Sequence, residues 1–250
     1  MIPGIQGRWE WMKPALAELQ RGLRTISYTL CGDFGSARRY DRAAGFDNYL
    51  AQLDEVFEAT GLERAALCGI SYGGLIALRY AATRPARVTA LALVSSPAPG
   101  WVPTEQQRRY VARPWLSAPA FVLTSPGRIW PEIRSARGTI RSGLAFAVSH
   151  AARVLAAPMM PSNMAARVTL QQGLDFAPDC AAVRPPTLVV TGDEALDRVV
   201  PARVTRRYVD LIAGARHERL DGTGHLGLVT QPERFAAVVT EFVRAHAGDC

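Results

Sequence analysis

Leu67-Cys68-Gly69-Ile70-Ser71-Tyr72-Gly73-Gly74 is the stretch whose reading decides the fold. An apolar run over residues 64–70 leads into a serine framed by glycines. An alanine- and leucine-rich amphipathic stretch over residues 75–83 follows at once. The spacing Gly69-x-Ser71-x-Gly73 suits a sharp strand-to-helix turn that projects the Ser71 hydroxyl beyond the strand end. In such a turn the residues two before and two after the serine approach so closely that a β-carbon would clash, hence glycine at both. The start of the following helix offers free N–H groups and a positive dipole end where an oxyanion can form. The spacing alone is a weak signal, since with glycine near 7% of residues chance supplies it in roughly one chain in ten of this length. Its meaning rests on what surrounds it.

Outward from the turn, strand and helix patterns alternate. Upstream, residues 46–60 carry Phe46, Tyr49, Leu50, Leu53, Val56 and Phe57 at helical spacing, closed by Gly61 as a C-cap. Residues 31–44 read as a loop, and residues 24–30 as a strand, alternating with β-branched and aromatic side chains. Before them, residues 9–21 form a helical pattern with Trp9, Met12, Leu16 and Leu19 on one face. The chain opens with a glycine-rich loop over residues 1–9. Downstream, Arg84-Pro85 ends the helix, and residues 88–94 are a continuous apolar run, as expected of a buried parallel strand. Between residues 97 and 183 the rhythm changes: prolines, tryptophans and arginine-bearing helical patches appear, with helices expected over 136–156 and 163–174. The alternation then resumes with a strand at 186–192, a helix at 201–213, a short strand at 216–220 and a closing helix at 232–245. The expected architecture is an α/β, doubly wound, mostly parallel sheet. A first core part spans residues 1–97, a helical cap is inserted over 98–183, and a second core part follows over 184–250. Ligands of such sheets bind at the carboxyl ends of the strands, where Ser71 falls.

Composition excludes several classes. The 250 residues are 48% hydrophobic with a formal charge of +7. Lys13 is the single lysine, so the remaining basic residues are all arginine, scattered along the chain with no basic stripe interleaved with aromatics. Nucleic acid is therefore not the expected partner. No run reaches the roughly 20 apolar residues of a membrane span, and the N-terminus lacks the regions of a signal peptide. The expectation is a cytoplasmic protein with a small-molecule substrate and neither a nucleic-acid nor a membrane partner; a homodimer is left open. Cys31, Cys68, Cys180 and Cys250 have no metal-type spacing and read as free thiols, so neither metal nor cofactor is expected.

A serine hydroxyl is a poor nucleophile at neutral pH. It needs an imidazole to take its proton and a carboxylate to hold that imidazole in the right tautomer. Two loops after the resumed strands supply them: Asp193-Glu194-Ala195-Leu196-Asp197-Arg198-Val199-Val200-Pro201 and Asp221-Gly222-Thr223-Gly224-His225-Leu226-Gly227. The chain order serine, acid, histidine is that of one particular scaffold. On these residues the chain resembles the α/β-hydrolase fold superfamily from Pro3 to about Ala245. Ser71 matches its nucleophile and His225 its histidine. Asp197 matches the acid a few residues before a Val-Pro pair, with Asp193 the alternative acid and Glu194 a further one. Pro3-Gly4-Ile5 resembles the family's oxyanion loop, with proline in place of histidine. By that resemblance the backbone N–H groups of Ile5 and Tyr72 bind the oxyanion. The family carries two or three strands before this loop, so the resemblance implies missing N-terminal strands and a Met1 that is internal or a misplaced start.

The resemblance implies a cofactor-free serine hydrolase cleaving an ester, lactone or similar acyl bond of a small apolar substrate. Carbon–carbon hydrolysis, thioester cleavage and haloperoxidase-type activity use the same triad, and a non-catalytic ligand-binding protein is the rival of another class. His150, His217 and His246 lack a matching context. Trp101, Trp115, Trp130, Phe121, Met159 and Met160 either line an apolar pocket under the cap or simply pack the core.

Overall fold

A computed structural model describes residues 1–246 of the chain. In order, its elements begin with α1 (Lys13–Leu19), α2 (Asp47–Thr60), β1 (Ala65–Ile70), α3 (Tyr72–Thr83) and β2 (Val88–Val94). Five helices then intervene: α4 (Glu105–Ala112), α5 (Pro114–Arg137), α6 (Ile140–Ala156), α7 (Pro161–Gln172) and α8 (Ala177–Ala182). The sheet resumes with β3 (Thr187–Thr191), α9 (Ala202–Arg206), α10 (Tyr208–Leu211) and β4 (Arg216–Arg219), and the chain closes with α11 (Gly227–Thr230) and α12 (Pro232–His246).

The four strands are all parallel and lie in the order β1-β2-β3-β4. Their near-continuous apolar sequences follow from burial on both faces. Leu67, Leu91, Leu93 and Val189 point to one side, into a core shared with α2, α3 and Tyr208 of α10. Cys68, Ile70, Ala92, Val94, Leu188 and Val190 point to the other, against α1 and the Phe235, Val239 and Phe242 face of α12. The sheet is thus wound on both sides. β4 is polar, and its charged side chains suit an edge strand.

Four expectations are corrected. Residues 24–30 form no strand. Their neighbour is the chain's first two residues: the Met1 ammonium donates to Ile26 O, and the Ser27 hydroxyl to Met1 O. On its other side Ile2 bridges β1 through Cys68 O and Ile70 N. These are isolated bonds and make no ladder. The single helix expected over 9–21 is instead a 3₁₀ turn, Trp9–Met12, followed by α1. Pro14 lacks the N–H that a continuous helix would donate to Glu10 O. The helix expected to start at residue 136 starts at Ile140, because Gly138 at φ 71° breaks the chain direction and Thr139 caps the new helix by accepting from Ser142 N. The helix expected over 201–213 is divided into α9 and α10 around Arg207.

Prolines did not prevent α5, which holds Pro119, Pro126 and Pro131 in its interior. Cys31, Cys68 and Cys180 are buried free thiols, pushed up to about 11, 11 and 12 chiefly by burial, and so are inert at neutral pH. Cys250 lies outside the described residues.

Candidate active site

The turn at Ser71 is as tight as its glycines require. Ser71 itself sits at φ 52°, ψ −119°, a conformation costly for a non-glycine residue, and its N–H is tied to Val94 O at 2.8 Å. A β-carbon on Gly69 would lie 2.4 Å from Gly73 O, and one on Gly73 would lie 2.4 Å from Ile2 O. The opening loop is therefore threaded directly against the turn. Gly4 faces Ser71, with its would-be β-carbon 3.4 Å from Ser71 Cβ. Ile5 follows Gly4 in this loop, and Tyr72 follows Ser71 at the start of α3. Among the described residues neither backbone N–H has a hydrogen-bond acceptor.

The two downstream loops meet each other. A β-carbon on Gly224 would lie 2.5 Å from Leu196 O, so the His225 loop runs in contact with the acid loop. His225 Nδ1 lies 3.2 Å from Asp197 Oδ2. The other Asp197 oxygen accepts the backbone N–H groups of Val199 and Val200, each at 3.0 Å. An ionised carboxylate only accepts, so Nδ1 carries the hydrogen and Nε2 is left as the basic nitrogen. Asp193 is engaged elsewhere. Its Oδ2 accepts Gly222 N at 2.7 Å, and its Oδ1 faces Arg219 at 3.6 Å, so it staples the base of the histidine loop. Glu194 turns outward to an ion pair with Arg203.

Burial works against a charged His225, but the Asp197 carboxylate and, more weakly, Glu132 outweigh it and hold the imidazole pKa above its usual 6.5. Ser71 and Asp197 are buried. Among the described residues the Ser71 hydroxyl makes no hydrogen bond, and resting enzymes often show such loose geometry before substrate arrives. No three His, Cys, Asp or Glu side chains among the described residues stand close enough together to hold a metal ion.

Three residues that sequence reasoning missed bind these loops to the inserted helices. Glu132 of α5 is 2% exposed and accepts the Leu226 backbone N–H at 2.9 Å, one residue beyond His225. Burial, its largest influence, pushes its carboxyl up to about 7. Arg167 of α7 is fully buried. Its guanidinium donates to Ile5 O at 2.8 Å, to the Tyr49 hydroxyl at 3.2 Å and to the Asp33 carboxylate. It thereby fixes the Ile5–Gln6 peptide, the one that follows the Ile5 N–H. Gln107 of α4 reaches Val199 O of the acid loop at 3.4 Å. Helices α4, α5 and α7 thus touch the acid loop, the histidine loop and the opening loop in turn. These partners lie 92 to 162 residues apart, which no local pattern signals. Of the aromatic residues considered for a pocket, Trp115 is instead 61% exposed on the outside of α5, and Trp130 packs against the core.

Comparison with known proteins places the fold. The protein "Putative carbamate hydrolase RutD" of Klebsiella pneumoniae is 26% identical over 250 residues, covering 97% of this chain and 89% of its own length. Among solved structures, an enol-lactonase from Burkholderia xenovorans LB400 superposes with a TM-score of 0.78 at 21% identity, covering 96% of this chain and 88% of its own. An esterase from Exiguobacterium antarcticum gives a TM-score of 0.79 at 18% identity, covering 98% and 90%. The model of the alpha/beta hydrolase family matches residues 1–238. This chain belongs to the alpha/beta hydrolase family.

Proposed function

We propose that the protein is a serine hydrolase that opens an ester, lactone or related acyl bond through an acyl-enzyme, using Ser71, His225 and Asp197. The observation that carries this reading is the 3.2 Å contact of His225 Nδ1 with Asp197 Oδ2, in loops that leave the same carboxyl edge of the parallel sheet as a serine held at φ 52°. Ser71 Oγ attacks the acyl carbon while His225 Nε2 takes its proton. Asp197 stabilises the imidazolium so formed. The oxyanion is received by the N–H groups of Ile5 and Tyr72; a donor of this kind is worth about 3 to 4 kcal/mol of barrier in measured cases. His225 returns the proton to the leaving alcohol. It then draws a proton from water, whose oxygen releases the acid and regenerates Ser71. Helices α4 to α8 act as a cap, since they bond to each loop the reaction uses.

A carbamate is the second reading, favoured by similarity over nearly the whole chain to proteins named as carbamate hydrolases. The chemistry is the same, except that the leaving group is an amine or ammonia.

Labelling the purified protein with a fluorophosphonate and mapping the modified peptide tests the nucleophile. Label on Ser71, absent in S71A, is the expected result; label elsewhere or none overturns the assignment. Parallel turnover of activated esters, lactones and carbamates ranks the acyl classes. Labelling without turnover of any of them would leave Ser71 reactive but the substrate class wrong.

A further inference from the structure

The outer surface of the inserted helices has features that the reaction does not use. Among the described residues, most of the large apolar side chains left exposed lie on α5 and α6. On α5 they are Trp115, Leu116, Val122 and Leu123, at seven-residue spacing that keeps them on one face. On α6, Ile140, Leu144, Val148 and Leu155 likewise follow helical spacing along one side. Residues 114–127 hold no charged side chain at all, and Arg113 and Arg128 bound them. On α6 the arginines, Arg141 and Arg153, stand near its two ends.

The charge of the chain is concentrated here as well. From the start of α4 to the end of α7, residues 105–172 carry nine arginines and two acidic residues. That formal excess of +7 equals the +7 of the whole chain, so the rest is neutral in sum. Arginine is only slightly commoner in this segment than elsewhere; the larger difference is that acids are scarce. Of the two, Glu132 is buried against the histidine loop and Glu105 is paired with Arg109; of the nine arginines, Arg167 is buried against Asp33 and adds nothing to the outer surface. His150, buried and pushed down to about 4, adds no charge at neutral pH. Arg108, Arg113, Arg134 and Arg141 are exposed.

An apolar face bounded by uncompensated arginines selects its occupant by charge. Two copies meeting through this face would oppose like charges, with no carboxylates to pair them. An anionic lipid surface answers both features: acyl chains receive the apolar side chains while arginine heads remain among the phosphates. No single described helix is long and apolar enough to cross a membrane, so contact is at the surface. The prolines set the depth. Pro119 and Pro126 leave the carbonyls of Trp115 and Val122 without helical partners, and these require water or headgroups. We propose that the outer face of α5 and α6 docks on anionic lipid bilayers, lying at headgroup depth with its arginines on the lipid phosphates. Whole-chain charge conceals this, because the arginines are spread nearly evenly and the acids are not.

The test is co-sedimentation of the full chain with vesicles of pure phosphatidylcholine and with vesicles containing phosphatidylglycerol, at low and high salt. Partition to the anionic vesicles is expected to be at least about tenfold stronger, and to fall on adding salt. L123E and L116E alter fully outward side chains. They are expected to reduce that partition by about tenfold or more while thermal unfolding and turnover of a water-soluble ester stay unchanged. Quenching of Trp fluorescence by bromine-labelled acyl chains should be lost in W115S. Equal binding to neutral and anionic vesicles, no binding, or partition indifferent to L123E would overturn the proposal. So would a dimer that L123E dissociates, which would make a second copy the occupant.

Discussion

Glu132 offers a test of the electrostatics beneath the histidine loop. A free glutamate titrates near 4.5, whereas burial, partly offset by the N–H groups of Gly224 and Leu226, pushes Glu132 up to about 7. The folded state therefore holds a proton that the unfolded chain gives up. Below about pH 4.5 both states are protonated and the group is neutral to stability. As pH rises toward 7 the unfolded state ionises first, so stability is lost across that window and the loss is complete above it. At about 1.36 kcal/mol per pH unit the loss comes to about 3 kcal/mol. E132Q keeps the volume and an acceptor for Leu226 N but cannot ionise. Urea unfolding of both proteins from pH 4 to 8 gives the wild-type stability minus that of E132Q. This difference should fall by about 3 kcal/mol between pH 4.5 and 7.5 and be level on either side. A difference flat to within about 0.5 kcal/mol across the range would refute the argument that burial controls this carboxyl. His225 supplies an internal control. Its charge lowers the Glu132 pKa, so in an H225Q background the fall should move to higher pH.

Three further outcomes follow from the same geometry. D197N should cost roughly 10⁴ in kcat, the scale measured for the equivalent change in a serine protease, whereas D193N should stay within about tenfold because Asp193 bonds Gly222 and not His225. The acid limb of kcat/KM should fall above pH 6.5, because Asp197 and Glu132 favour the imidazolium and the base must be neutral. E132Q should move that limb downward, and an unmoved limb would remove Glu132 from the account. S71G should unfold later than S71A by about 1 kcal/mol, since φ 52°, ψ −119° suits glycine and strains alanine; equal melting would mean that the turn is unstrained.

What was legible in the sequence is what local chemistry encodes. A serine between glycines announces a tight turn, and Gly69 and Gly73 are required because backbone lies 2.4 Å from where their β-carbons would be. Register before Val200-Pro201 favoured Asp197 over Asp193, but spacing could not show which of the two faces His225. That turns on which loop residue Gly224 abuts, a contact between segments about 28 residues apart. Residues 24–30 show the converse failure: their alternation is strand-like, yet a strand also needs a ladder, and here only isolated bonds to Met1 form. Glu132 and Arg167 were invisible for a different reason. A charged residue in a helical pattern reads as solvent-facing, and here both are almost wholly buried because the partners that compensate them come from distant loops. Those two side chains connect the inserted helices to the histidine loop and to the Ile5 peptide. A shift of α5 or α7 would therefore be felt first at Leu226, next to His225, and at the Ile5 carbonyl.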